Sequence, residues 1–600
     1  GRVDLDIPLE HGEEPKVVVD FNTDKARLKI SDPELELNQL KGDFRFDSAK
    51  GLSGKGISAR AFDQPIKAQI FAEGRGGKLT TRVVASGQVG VKKLTDWLKF
   101  NQPIPVSGML PYQLQLTLDD ADSQLRVSSS LKGATIDLPA PFGLTSSETR
   151  NTVFRMTLQG AERRYWFDYG DLANLTFAAP NGKFEDGRGE LFLGYGDPVL
   201  PVTKGLRIRG VLSELDVAPW QALVDRYGGK DSGGTATQLL SSADFKVNKL
   251  IAFGTQLDQV QLQMKRIGAA WDLQINSKQA TGAVTLPDAK NVPIKVTMQT
   301  IRLPAPDPKA VTDVNAPDPL ASVDPRKIPA LDIIIRQLYQ GADLLGAWSL
   351  NIRPTPRGIN LNNLSLGLKG LLLEGSGGWE GVAGASNSWY RGRIGGGNLA
   401  NVLQGWGFAP SVTSEDFKVD IDGRWPGSPA WIGLNRFSGT IDATLNKGRF
   451  VEVDGSTQVV RIFGLLNFNA IGRRLRLDFS DLFSKGLSYD RVKGFLTASN
   501  GVYRTTSPIL MTGPSTNLEL SGTLNMVSEQ VNAKMLVTLP VTNNLPLAAL
   551  LVGGPAAGGA MFLLNKLIGD QVSRFASVQY SIQGPWNDPK ITFDKPFEKN

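Results

Sequence analysis

Residues 112–118 read YQLQLTL and residues 125–131 read LRVSSSL. In the first run Leu114, Leu116 and Leu118 alternate with Gln113, Gln115 and Thr117, so an extended chain sends every leucine to one face and every polar side chain to the other. The same two-residue period recurs upstream in VVVDF (17–21), ARLKI (26–30), GDFRF (42–46) and IKAQIF (66–71). Downstream it returns in WDLQI (271–275), LGAWSLNI (345–352), FKVDI (417–421), GTIDATL (439–445) and the runs at 517–524 and 531–539. Short Gly, Asn and Asp turns separate the runs, which predicts an antiparallel meander.

Composition agrees with a mainly β class. The chain holds 65 Gly and 35 Pro in 600 residues with 41% hydrophobic content, enough apolar material for a large core divided by many turns. At roughly 150 residues per domain, that length suggests about four domains, a rule that repeat architectures break. The charge is mixed, 66 basic against 59 acidic residues, and no Lys/Arg stripe carries stacking aromatics, so nucleic acid is not the expected partner. With no Cys and the single His11, thiolate nucleophiles, Cys-ligated zinc and His-dependent triads are excluded within this chain. The opening GRVDLDIPLEHGEE lacks an initiator Met, a basic n-region and an apolar h-region, and reads as a fragment or processed product.

Three brief helices carry a Trp each: VKKLTDWLKF (91–100, Trp97), VAPWQALVDRY (217–227, Trp220) and NLANVLQGWGF (398–408, Trp406). They read as caps or spacers marking quasi-repeats of a β unit. GATIDLPAPFG (133–143) and GAVTLP (282–287) share a Gly, an apolar pair and a Pro stop. GGKDSGGT (228–235) is a flexible loop by composition. Residues 303–329, rich in Pro and Asp, form either a linker or a surface excursion. The expected division is 1–302 and 330–540 as β regions around that segment, an apolar helical segment at 541–576, and a closing strand and tail at 577–600. Within the helical segment, LPLAALLVGGPAAGGAMFLL (545–564) is long enough to span a bilayer. Its central Gly553-Gly554-Pro555 argues for two short helices or a hairpin, with membrane contact, plain core and full crossing all open.

No chemistry stands out. GRGGKL (74–79) has the wrong Gly spacing for a phosphate loop and Leu79 where a hydroxyl is needed. Asp478, Asp481 and Asp490 have ready ion partners in Arg473, Arg474 and Arg476, and Asp307, Asp313, Asp318 and Asp324 lack the Gly and Glu of a calcium loop. No catalytic residue, metal or cofactor is expected. A physical problem remains: a sheet with one apolar face must cover it, and the helices are too few and short to do so. Either the strands form sandwiches or the face lines a groove for apolar molecules.

Residues 459–495 combine an apolar segment (Phe463, Leu465, Phe468) with a basic turn and an acidic reply, a pattern for a charged corner. Within it, GLLNFNAIGRRLRLDFSDLFSKGLSYDRVKG (464–494) resembles the C-terminal signature of the YhdP-type members of the AsmA-like family. GATIDLPAPFG, DPRKIPALDI (324–333) and YSIQGPWNDPKI (580–591) are similar to other segments of that family. The resemblance implies a repeating β-groove: a long, twisted antiparallel sheet curled into an elongated groove, in a bridge-like lipid transfer protein of the Gram-negative envelope. It further implies a periplasmic body, an inner-membrane helix outside this chain and a C-terminal end near the outer membrane. Phospholipids, the two membranes and envelope proteins at either end are the implied partners. Groove-lining positions are then Leu114, Leu116, Leu118, Val260, Leu262, Met264, Ile294, Val296 and Met298. Leu547, Leu550, Leu551, Met561, Phe562 and Leu563 are the membrane-contacting candidates. The charged corner becomes a junction between the β body and the C-terminal apolar segment. An envelope scaffold that binds outer-membrane biogenesis proteins is the alternative function, and an enzyme comes third.

Overall fold

The computed structural model describes residues 1–7, 16–30, 34–75, 78–100, 103–119, 122–227, 239–252, 255–289, 291–305, 316–451, 487–514, 516–541, 562–568, 571–585 and 589–594. His11, the loop at 228–235, Asp307, Asp313 and the charged corner up to residue 486 lie outside them. The chain divides into two compact units, Gly1–Thr281 and Gly282–Asn600. Both are built of β-strands laid side by side, mostly in sequence order.

In the first unit the strands from Arg2–Asp6 to Val106–Leu118 form an unbroken antiparallel meander. Gln124–Ser129, Thr152–Thr157, Glu162–Tyr169, Ala173–Pro180 and Arg188–Leu193 continue it. The expectation of antiparallel pairing throughout then fails, because Arg188–Leu193, Gly205–Asp216 and Leu240–Ala252 run parallel to one another. Parallel neighbours need a crossover to bring the chain back to the starting end, and residues 194–204 and the segment containing α2 (Val217–Tyr227) supply it. The first crossover is tied down by Glu190, which is fully buried; its carboxylate accepts from Val199 N–H at 3.1 Å and from the Arg207 guanidinium, with Arg209 3.6 Å away.

Longer excursions leave this unit from one edge of the sheet, the edge where Lys78–Gly90, Gln124–Ser129 and Gly205–Asp216 end. The first carries α1 (Val91–Trp97) and the third α2. The second, residues 130–151, holds the GATIDLPAPFG motif and folds back onto the apolar face. Phe142 and Leu144 bury themselves in one cluster with Leu212, Val247 and Val260, and Trp220 of α2 meets Phe142 edge-on at 5.9 Å. Tyr169 fastens the excursion: its hydroxyl donates to the Phe142 carbonyl at 2.6 Å, while the Arg150 guanidinium donates to both and lies 4.7 Å over the Tyr169 ring.

After the strand Ala280–Pro287, which straddles the boundary, the second unit holds another parallel pair, Ile294–Leu303 beside Leu331–Gln340. Its crossover is the Pro- and Asp-rich stretch, and the described part, 316–330, is anchored to the body. Asp318 accepts from Ser428 N–H at 2.7 Å and Ser428 Oγ–H at 2.6 Å, and Trp431 Nε1 donates to the Ala316 carbonyl at 2.8 Å. Pro325 is fully buried, and the Arg326 guanidinium donates to Asp324, holding that carboxyl down at about 2. An antiparallel meander runs from Leu331–Gln340 through Gln530–Val541. It is interrupted by an excursion carrying α3 (Leu399–Gly405), whose first turn is capped by Asn398.

The helical segment expected at 541–576 is corrected over its described part. Phe562–Ile568 and Gln571–Pro585 are strands paired as a hairpin, and the second also pairs with Gln530–Val541. Gly569-Asp570 between two strand-length runs is a two-residue hairpin signal, and pairing to the existing sheet edge satisfies backbone groups that a short isolated helix would leave open at its ends.

The packing of the 130–151 excursion is testable by equilibrium urea unfolding. Phe142→Ala is expected to destabilise the chain by about 3–5 kcal/mol through a core cavity. Tyr169→Phe, which deletes a hydrogen bond still shared by Arg150, is expected to cost about 1 kcal/mol. A Phe142→Ala chain as stable as the parent would show that the excursion does not pack on the sheet.

Candidate functional site

Directly opposed residues on neighbouring strands share a face, so register shows where the apolar side of each sheet runs. In the first unit Leu114 stands opposite Val127, and the row continues through Phe154, Phe167, Leu175, Leu191, Ile208, Ala243, Met264 and Leu273. Every member is apolar. One residue along, on the opposite face, the row reads Gln115, Arg126, Arg155, Trp166, Thr176, Glu190, Arg207, Ser242, Lys265 and Asp272. The second unit repeats the contrast. Met298, Ile335, Trp348, Leu366, Leu373, Ile394, Val419 and Ala443 form one row. Ser349, Ser365, Glu374, Arg393, Asp420 and Asp442 form the other, with Arg393 and Asp420 paired at 2.8 Å.

The nine positions nominated from sequence fall as follows. Leu114 and Leu116 are half-buried on the first row and its neighbour, and Leu118 is exposed beside them. Met264 is half-buried on the row, between Ala243 and Leu273. Val260 is fully buried and Leu262 packs against the same cluster, so the protein's own excursion covers that part of the face. Ile294 and Val296 are half-buried and Met298 is buried, opposite Leu331, Ile333 and Ile335. Of the membrane-contacting candidates, Leu547, Leu550, Leu551 and Met561 lie outside the described residues, and Phe562 and Leu563 are on the strand Phe562–Ile568.

A cavity of about 420 Å³ opens on the apolar face of the second unit, a place nominated by none of those positions. Its walls come from alternate residues of successive strands: Ile441, Val492 and Leu496, then Ile509 and Met511, then Leu518, Leu520 and Leu524, then Val531, Ala533 and Met535, with Ile582 beyond. The alternation in NLELSGTL (517–524) is the sequence signal that could have found it. The space itself depends on curvature. Between Val502–Thr512 and Asn517–Asn525 the register jumps from Arg504↔Thr523 to Ile509↔Leu520, a bulge around Pro508, which has no N–H for the ladder. Gly494 and Gly522 keep the bend open: a Cβ at Gly494 would sit 3.0 Å from Ile509 Cγ1, and one at Gly522 would strike the backbone of Asn532 and Ala533.

Two hydroxyls in the lining, those of Tyr503 and Thr505, are hydrogen-bonded. Tyr503 donates its hydroxyl to the Leu434 carbonyl at 2.9 Å, and Thr505 Oγ1 accepts from Gly522 N–H at 2.9 Å. Tyr489 similarly donates to the Thr413 carbonyl at 2.6 Å, tying the α3 excursion to the sheet, and Tyr390 donates to the Glu374 carbonyl at 2.7 Å. Burial pushes the phenols of Tyr390, Tyr489, Tyr503 and Tyr580 up to about 12, with the Glu374 and Asp420 charges adding to the effect at Tyr390. Among the described residues the lining carries no carboxylate, amine or imidazole. Among the described residues there is no group of three or more metal-ligating side chains and no helix long and apolar enough to cross a membrane. Such a site can hold an apolar chain and offers no acid–base pair.

Because the folded state holds these four protons more tightly than an exposed phenol of pKa 10.0, their contribution to stability is complete below pH 10 and is lost as pH rises towards about 12. Tyrosinate absorbance followed against pH should show a group of the chain's 10 tyrosines resisting ionisation until the chain unfolds in that window. Ionisation of all of them near pH 10 in a folded chain would contradict the burial.

Comparison with known proteins places this architecture. The family model described as "YhdP protein" matches residues 1–591, which includes all four segments that carried the resemblance. A curated relative, the "Intermembrane phospholipid transporter YhdP" of Escherichia coli (strain K12), is 22% identical over an alignment of 631 positions, taking in 98% of this chain and 47% of the relative. The chain thus spans about half the length of the curated relative it matches. No solved structure matches it. With a family match over nearly its whole length, and sheets whose one face is apolar strand after strand, the chain belongs to the YhdP protein family.

Proposed function

We propose that this chain is a section of a hydrophobic conduit that carries phospholipids between the inner and outer membranes of the Gram-negative envelope. The observation that carries this reading is the row from Leu114 to Leu273, apolar across ten consecutive members while the reverse row is polar but for Trp166. The relative's printed description as an intermembrane phospholipid transporter supports it.

The physics suits transport better than tight capture. Burying an acyl chain is worth about 0.8 kcal/mol per methylene, a driving force that is non-directional and roughly equal at each step along a uniform face. Among the described residues no charged side chain lines the cavity to hold a headgroup in one place. Acyl chains lie against the apolar face and headgroups stay in water at the sheet edges, so no covalent step is needed. The conduit works in the periplasm, its partners are phospholipids and the two membranes, and envelope proteins engage it at its ends.

Native mass spectrometry of the purified chain tests this. Bound phospholipid is the expected result, and a folded, lipid-free chain would sink the proposal. Leu116→Asp in the first unit and Leu520→Asp in the second should each reduce photo-crosslinking to lipid about tenfold or more at their own unit. Circular dichroism should be unchanged, since a carboxylate on the apolar face repels acyl chains without breaking the ladder.

A further inference from the structure

Three turns stack at one edge of the second unit beside the cavity: residues 427–437, 500–501 and 526–529. Backbone bonds join them in series, Gly501 N–H to the Phe437 carbonyl at 3.0 Å and Met526 N–H to the Gly501 carbonyl at 2.9 Å. The Gly501 backbone has φ +79°, and a Cβ there would press on the Asn435 carbonyl, so the stacking is close. Asn525 accepts from the N–H groups of Val527 and Ser528 at 2.9 and 3.0 Å, which shapes the last turn. These turns are ordered by their own bonds, yet they hold large apolar side chains in water: Ile432 is 57% exposed, Leu434 49% and Val527 65%.

Scattered exposed apolar residues are ordinary, but these sit on bonded neighbours and run into the cavity, since Leu434 and Met526 also line it. The space they run into, about 420 Å³, is walled by apolar side chains of successive strands, a lining suited to an acyl chain. The tips 432–434 and 526–528 carry no charge. At their base Trp431 presents an amphipathic ring with the Arg436 guanidinium stacked 4.0 Å above it, a combination suited to the boundary between water and lipid.

We infer that the turns around Ile432, Leu434 and Val527 form a lateral mouth of the cavity that seats on a phospholipid surface and passes one acyl chain at a time. Tyr503 is the hinge pin of this mouth, because its ring lines the cavity while its hydroxyl holds the Leu434 carbonyl. The inference rests on the lipid-carrying reading but is separable from it by experiment.

The chain has no cysteine, so Val527→Cys labelled with an environment-sensitive fluorophore reports on one site. Lys447→Cys, at the opposite end of the strand Ser438–Phe450 from the mouth, is the control. With vesicles of phosphatidylethanolamine and phosphatidylglycerol, the label at 527 should shift to the blue and be quenched by brominated acyl chains, and the label at 447 should do neither. Ile432→Asp combined with Val527→Asp should weaken vesicle binding at least tenfold, with circular dichroism unchanged. No shift at 527, or an equal shift at 447, overturns the mouth. Lipid content of the same preparations, read by native mass spectrometry, separates the two ideas: bound lipid without a shift at 527 overturns the mouth alone, and absence of lipid overturns the carrying reading.

Discussion

An apolar row on a β-sheet has to be withdrawn from water, and nearly every other feature of this chain answers that requirement. Side chains opposed across paired strands share a face, so the apolar positions of separate strands add up to one surface. At roughly 25 cal/mol per Å² of apolar area, leaving such a surface wet would cost more than the few kcal/mol by which most domains are stable. The reverse face, with Arg393 paired to Asp420 and Gln115 beside Arg126, can stay in water. The chain has three helices of 7, 11 and 7 residues among its described elements, far too little to form a covering layer.

Cover comes instead from two local sources. The first is the protein itself, where excursions from the sheet fold back and are pinned by buried tyrosines: Tyr169 to the Phe142 carbonyl, Tyr489 to the Thr413 carbonyl, and Tyr503 to the Leu434 carbonyl. A phenol serves well because its ring joins the apolar face while its hydroxyl satisfies a loop carbonyl that would otherwise lie unpaired against that face. The second source is curvature. Where a bulge bends the strands around Pro508, the face closes partly on itself and leaves a cavity with a lining suited to an acyl chain. Both devices occur in the second unit, where Tyr489 ties an excursion to the sheet and the bend around Pro508 leaves a cavity.

Much of this was legible before any coordinates. The alternation in YQLQLTL placed Leu114 and Leu116 on one face, and the helices at 217–227 and 398–408 were visible from the spacing of their apolar residues. The parallel joints were not, because a strand carries no local mark of its neighbour's direction. A short apolar run such as FLLNKLI fits the helix expected over 541–576 as well as it fits a strand, and its pairing with Gln571–Pro585 makes it a strand. The charged corner after residue 472 lies outside the described residues; the buried fastener of Glu190 with Arg207 and Arg209 has no local sequence mark, because 17 and 19 positions separate the carboxylate from its partners.

The amino-acid sequence by itself determined that this chain makes strands with one apolar and one polar face, because a period of two is a property of the extended backbone and needs no distant partner. It also determined the family, through local blocks of residues that survive without reference to their contacts. Only the tertiary structure decided which part of the apolar face the protein covers with its own excursions, where the sheet bends to leave a cavity, and which turns stack beside it. Those outcomes rest on register skips and on hydrogen bonds between residues dozens of positions apart, such as Tyr503 with Leu434, and such pairings are set by the packed whole.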